Sequence, residues 1–127
     1  MLKLSLRTPD RLTKSIIEIC RKLNKGKFGL GYVQMKVEPD CLPLRCFDNV
    51  MSKVEKDGGR IQFGCKVFEQ SNEAVVVRFH AIWISPEGTC FDIIPNPLVT
   101  DKILFLADAL PSLCIYLAHQ DEFVAYG

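Results

Sequence analysis

The run from Ala74 to Ile94 limits the fold more than any other stretch. Val75-Val76-Val77-Arg78-Phe79-His80-Ala81-Ile82-Trp83-Ile84-Ser85 is too β-branched and aromatic to favour a helix. The Pro86-Glu87-Gly88 turn signal follows, and then a second apolar run, Thr89 to Ile94. The pattern predicts a β-hairpin. Strand alternation puts Val75, Val77, Phe79, Ala81 and Trp83 on one face and Val76, Arg78, His80, Ile82 and Ile84 on the other. Both faces carry apolar residues, so the first strand is expected to be central. Upstream, Arg60 to Glu69 alternates, with Ile61, Phe63, Cys65 and Val67 together, and Gln70 to Glu73 makes the turn. Downstream, Lys102 to Ala107 suits a further strand. Pro111 to Gln120 fits either a strand or a short helix.

Two helices precede this β region. Leu12, Ile16, Ile19, Cys20 and Leu23 recur at helical spacing, with Thr8 as the expected cap, Pro9 in the first turn and Asn24-Lys25-Gly26 as the stop. After a glycine-containing link, Tyr32 to Val37 alternates as a strand, and two prolines mark Glu38 to Pro43 as a loop. A second helix is expected from Cys46, with Phe47, Val50, Met51 and Val54 as its stripe and Asp57-Gly58-Gly59 as its end. The expectation is one α+β domain over residues 1–127, with the helices packed on an antiparallel β-sheet meander.

Charge and cysteine usage narrow the function classes. A net charge of +1 argues against a strongly electrostatic nucleic-acid or membrane-surface role. No apolar run is long enough to span a bilayer, and the amino-terminal segment is too short and charged for a signal peptide. A cytoplasmic protein with reduced thiols is therefore expected. No cysteine pair is spaced Cys-x-x-Cys, and Cys41 and Cys46 have poor zinc-site spacing, so neither metal nor organic cofactor is expected.

Chemistry concentrates on three residues. Hairpin pairing across the Pro86 turn sets His80 opposite Asp92 or Ile93. Asp92 lies between Phe91 and Ile93, where a carboxylate needs a partner, and a His80–Asp92 contact would satisfy both groups and orient the imidazole. Cys46 opens the second helix, where backbone N–H groups and the dipole favour a thiolate; Cys41, in the preceding loop, is the fallback. The plain alternative is a structural histidine in a small core. Arg78 and Trp83 likewise suit an exposed strand position and a core position, Asn49 suits equally a hydrogen bond near the site and a solvated helix face, and His119 has no evident partner.

Cys46 with a Gly58-Gly59-terminated helix, then His80-Ala81-Ile82-Trp83, then Asp92-Ile93-Ile94-Pro95, resembles the papain-like, transglutaminase-like superfamily, with the tryptophan one residue later than usual. It is also similar to small bacterial proteins with the order Cys…His-Ala-x-Trp…Asp-x-x-Pro. The resemblance implies a papain-like core and a thiol hydrolase or acyl transferase. Cys46 would attack an amide, isopeptide or glutamine carbonyl, His80 would act as general base and then acid, and Asp92 would orient it. Its partner would be a protein or peptide substrate, with self-association open. Two other readings stand beside it: a non-catalytic protein-interaction domain using the apolar segment from Ile103 to Ala118, and a metal site from Cys46, His80 and Cys90.

Overall fold

The computed structural model describes residues 6–25, 29–41, 45–70, 74–95 and 100–108, with two further strands described by their backbone alone. The elements are α1 (Lys14–Leu23), β1 (Leu30–Met35), α2 (Cys46–Asp57), β2 (Arg60–Gln70), β3 (Ala74–Ile84), β4 (Cys90–Asp92), β5 (Lys102–Ala107), β6 (Leu113–Leu117) and β7 (Phe123–Ala125).

The first helix begins later than Thr8 predicts. Thr13 is the cap, its Oγ1 accepting from the Ile16 amide at 3.3 Å, and Leu12 stays 41% exposed outside the stripe. Pro9 is a tether instead: its carbonyl accepts the Tyr32 hydroxyl at 2.6 Å. The second helix starts at Cys46 and ends at Gly58 and Gly59, both at positive φ. Gly59 has no room for a side chain, since a Cβ there would lie 2.1 Å from the Ile84 carbonyl. The segment 113–117, ambiguous in sequence, is the strand β6.

The strands do not form an open meander. β2, β3 and β4 follow one another antiparallel, but β1 then inserts between β4 and β5, running parallel to β4. β5 pairs with β2, so the order β2-β5-β1-β4-β3 returns to β2 and closes a five-stranded barrel. This overturns the expected helices-on-meander, papain-like architecture. The physical reason lies in β2 and β3, whose two apolar faces both need cover. Closure gives one face an interior, and the helices cover the other.

Alternation divides the side chains accordingly. Val33, Ile82, Ile103 and Phe105 fill the interior, with Met35, Cys90 and Ala107 against them. α1 lays Ile16 and Cys20 over Cys65, Val67, Val75, Val77, Leu104 and Leu106 on the outside. α2 covers Ala81, Trp83 and Ile93 with Val50. Each buried aliphatic side chain of this kind contributes roughly 1.5–3 kcal/mol of transfer free energy. Ile103, Leu104, Phe105 and Leu106 are thus core, with Ala107 partly buried against the interior and Asp108 exposed, which corrects their expected role as an apolar partner surface; the side chains from Ala109 to Ala118 lie outside the described residues.

β3 is shared unevenly. It pairs with β2 at eleven positions, from Arg60↔Ile84 to Gln70↔Ala74. On its other edge β6 takes Ala74 to Arg78, while β4 takes only Trp83 and Ile84.

Candidate functional site

His80 points into the barrel. Its cross-strand partner is Gly64, which leaves the space beside it free of a side chain. A Cβ on Gly64 would sit 2.6 Å from the Phe105 ring and 2.2 Å from the Leu106 carbonyl, so β5 can approach β2 this closely only over a glycine. Phe105 then meets the imidazole edge-on, with ring centroids 6.5 Å apart.

Asp92 reaches His80 diagonally. The register Trp83↔Phe91 carries Asp92 to the level of Ile82, one interior position away from His80. The Oδ1 atom accepts from His80 Nε2 at 2.9 Å and from the Ile94 amide at 3.2 Å. Oδ2 makes no hydrogen bond among the described residues and faces the Lys66 ammonium at 3.5 Å. Asp92 is fully buried, and His80 and Lys66 nearly so. Lys66 was not singled out by its sequence, although an interior-facing lysine two residues from Gly64 is the signal that marks it.

Electrostatics fix the protonation states. Burial holds His80 below its ordinary pKa, with the Asp92 hydrogen bond and charge opposing that effect and Lys66 and Arg78 reinforcing it. Burial pushes Asp92 upward, but the His80 hydrogen bond, the Lys66 charge and the Ile94 amide outweigh it, and its pKa lies below the ordinary value. At neutral pH Asp92 is therefore a carboxylate and His80 a neutral imidazole donating through Nε2–H.

Cys46 lies elsewhere. As the first residue of α2 it packs, partly buried, in the cluster formed by Val50, Ala81, Trp83, Ile93 and Ile94. Ala81 and Trp83 point out of the barrel, whereas His80 points in. The structure brings His80 and Asp92 together and leaves Cys46 on the opposite face of β3. Cys41 packs in the same outer cluster, with its thiol raised by burial and then by the charges of Glu38 and Asp40. Cys20, in the α1 core, is pushed up to about 12 by burial and is inert as a nucleophile. Cys90 lines the interior with Met35 and Phe105, so Cys46, His80 and Cys90 do not converge, and no metal-binding group of three or more such residues occurs among the described residues.

Trp83 is a core residue, 6% exposed, and donates its Nε1–H to the Gly58 carbonyl at 2.9 Å. Its ring stacks on Phe91 at 6.1 Å, with Lys53 Nζ 4.7 Å from its centroid and Lys36 Nζ 5.3 Å from that of Phe91. Arg78 is exposed, and Asn49 is partly buried. His119 lies outside the described residues.

The surface carries one aromatic feature that periodicity did not single out. On the outer face of β3, α1 covers Val75 and Val77, α2 covers Ala81 and Trp83, and Phe79 falls between the two footprints. Phe79 stacks on Phe63 of β2 at 6.1 Å, and Phe63 stacks on Phe47 of α2 at 5.8 Å. Phe47 is 49% exposed and Phe79 36%. Each phenylalanine has an ordinary place in its own element's pattern, so only the fold reveals the row.

Two surface clefts contain neither His80, Asp92 nor Cys46. One, of about 510 Å³, is lined by Thr8, Pro9, Asp10, Thr100, Asp101 and Lys102, and the other, of about 300 Å³, by Glu18, Arg21, Lys22 and Lys25. Among the described residues no helix is long and apolar enough to cross a membrane. No protein-family model, curated protein or solved structure matches the chain.

Proposed function

We propose that this chain is a non-catalytic protein-interaction domain that receives an apolar side chain of a partner protein between its two helices. The row Phe47–Phe63–Phe79 carries the proposal: three stacked rings, two of them more than a third exposed, at a break in the helical cover of the outer β2–β3 face. Aromatic rings preorganised by stacking lose little side-chain entropy on binding, which is why such residues serve as interface anchors. The imidazole and the helix-start thiol face opposite sides of β3, so catalysis by Cys46 would require β3 or α2 to move before His80 could serve it.

The test is a peptide-display selection against the intact chain, counter-selected against Phe47→Asp/Phe79→Asp. Enriched peptides should share an aromatic or large aliphatic anchor and lose at least about tenfold in affinity for the double variant, since a buried anchor contributes roughly 2 kcal/mol or more. Peptides that bind both proteins equally would overturn the proposal. Self-association of the wild type that Phe79→Asp abolishes would instead make a second copy the occupant.

A further inference from the structure

We propose that His80, Asp92 and Lys66 form an acid-sensitive latch that holds β4 in the barrel wall. Little backbone holds β4. It pairs with β3 at Trp83↔Phe91 and Ile84↔Cys90, and with β1 at Gln34↔Phe91 and Met35↔Asp92. Two main-chain bonds extend this contact just past the strand, from the Lys36 amide to the Asp92 carbonyl (2.9 Å) and from the Glu38 amide to the Ile93 carbonyl (3.1 Å). The β3 edge between the β4 and β6 pairings, residues 79–82, is where the Asp92 side chain reaches across to His80. A side-chain contact thus takes over where the β3–β4 ladder stops.

Charge counting makes this contact sensitive to acid. Among the described residues the interior has one carboxylate, Asp92, already facing Lys66 Nζ at 3.5 Å. β1 and β5 present Val33, Met35, Ile103 and Phe105 to the interior, and β4 adds Cys90; none of these is a carboxylate. β3 itself adds Arg78, a cation two residues before His80, but it is exposed. Protonating the imidazole would place two buried cations on one carboxylate, with no second buried carboxylate among the described residues, and burial of an unmatched charge is strongly unfavourable. Water relieves that penalty only if the wall opens. The seam with the shortest ladders, at β4, is the part that yields first.

Hydrogen exchange from pH 7.5 to 5.5, corrected for intrinsic rates, tests the latch. The Lys36 and Glu38 amides, which bond to β4-side carbonyls, should lose up to about tenfold in protection as the imidazole passes below its ordinary value of 6.5. The Val67 and Val77 amides, deep in the β2–β3 ladder, should not change. His80→Gln, which can still donate to Asp92 but does not titrate, should make the Lys36 and Glu38 protection independent of pH. Equal loss in both sets of amides, or unchanged pH dependence in His80→Gln, would overturn the latch. If that variant does not fold, the ring itself decides by nuclear magnetic resonance. An imidazole that protonates at or above 6.5 in the intact barrel refutes the proposal, and one that stays neutral until the β4-side amides exchange upholds it.

Discussion

The two faces of β3 make opposite use of the same strand. The inward face brings His80 to a buried carboxylate that it hydrogen-bonds and that faces a lysine, with one Asp92 oxygen left without a hydrogen bond among the described residues. The outward face presents Phe79, Ala81 and Trp83, apolar throughout, and leaves one ring partly bare between two helices. A polar trio thus sits inside an otherwise apolar interior, while a single ring of the helix-covered outer face, Phe79, meets the solvent. Ionisable residues at the centre of a small barrel hold a fold together or switch it, whereas aromatic residues at a break in its cover are available to a partner.

The contrast predicts where substitutions hurt. Asp92→Ala should have the largest effect, a loss of about 3–5 kcal/mol in urea denaturation, because Lys66 is left buried without its counter-charge. A loss below about 1 kcal/mol would mean that water reaches the interior freely. Next, Lys66→Met combined with Asp92→Asn should destabilise less than the sum of the single changes, with a coupling of about 0.5–3 kcal/mol in a double-mutant cycle. Additive effects would separate Lys66 from the network. Third, wild-type stability should fall as pH drops below 6.5. The folded His80 pKa lies below its unfolded value, so the unfolded chain binds more protons through that window. The stability contribution is complete above 6.5 and is lost toward the folded pKa, with a slope of at most about 1.4 kcal/mol per pH unit for one proton. Asp92 adds a second loss only below its ordinary 3.8. Phe79→Ser should be mildest, within about 1 kcal/mol of wild type and with an unchanged pH slope, since the ring is 36% exposed. A larger cost would show that Phe79 supports the fold rather than a partner.

Local features were legible in the sequence and closure was not. Alternation and the Pro86 turn, both short-range, make the His80–Asp92 contact legible, but the register differs from the expected one: Asp92 lies level with Ile82, not opposite His80, and reaches it diagonally. The end of α2 follows from Gly58-Gly59, whose φ angles of 79° and 80° few other residues would tolerate. The beginning of α1 misleads because Thr8-Pro9 and Thr13 both suit a helix start, and the choice turns on Pro9 bonding to Tyr32, a residue 23 positions away. Closure is hidden for the same reason: β1–β4 and β2–β5 join segments far apart in the chain, and nothing in either strand's own pattern names its partner. Without closure, no periodicity could tell which face of β3 α2 would cover, and the fate of Cys46 depends on that choice.

The insertion of β1 between β4 and β5 has a kinetic consequence. The β2–β3 hairpin and α2 can form from neighbouring sequence, but β1 has no strand to pair with until residues 90–107 exist. The first strand in the chain must wait, unpaired, for the strands that enclose it. Loop-closure entropy makes such long-range pairing slow, so closure belongs on the millisecond-to-second scale of all-β domains rather than the microsecond scale of helical ones. During that interval the Val33 and Met35 face of β1 is open to solvent, and in a growing chain that is the moment of greatest exposure to misassembly.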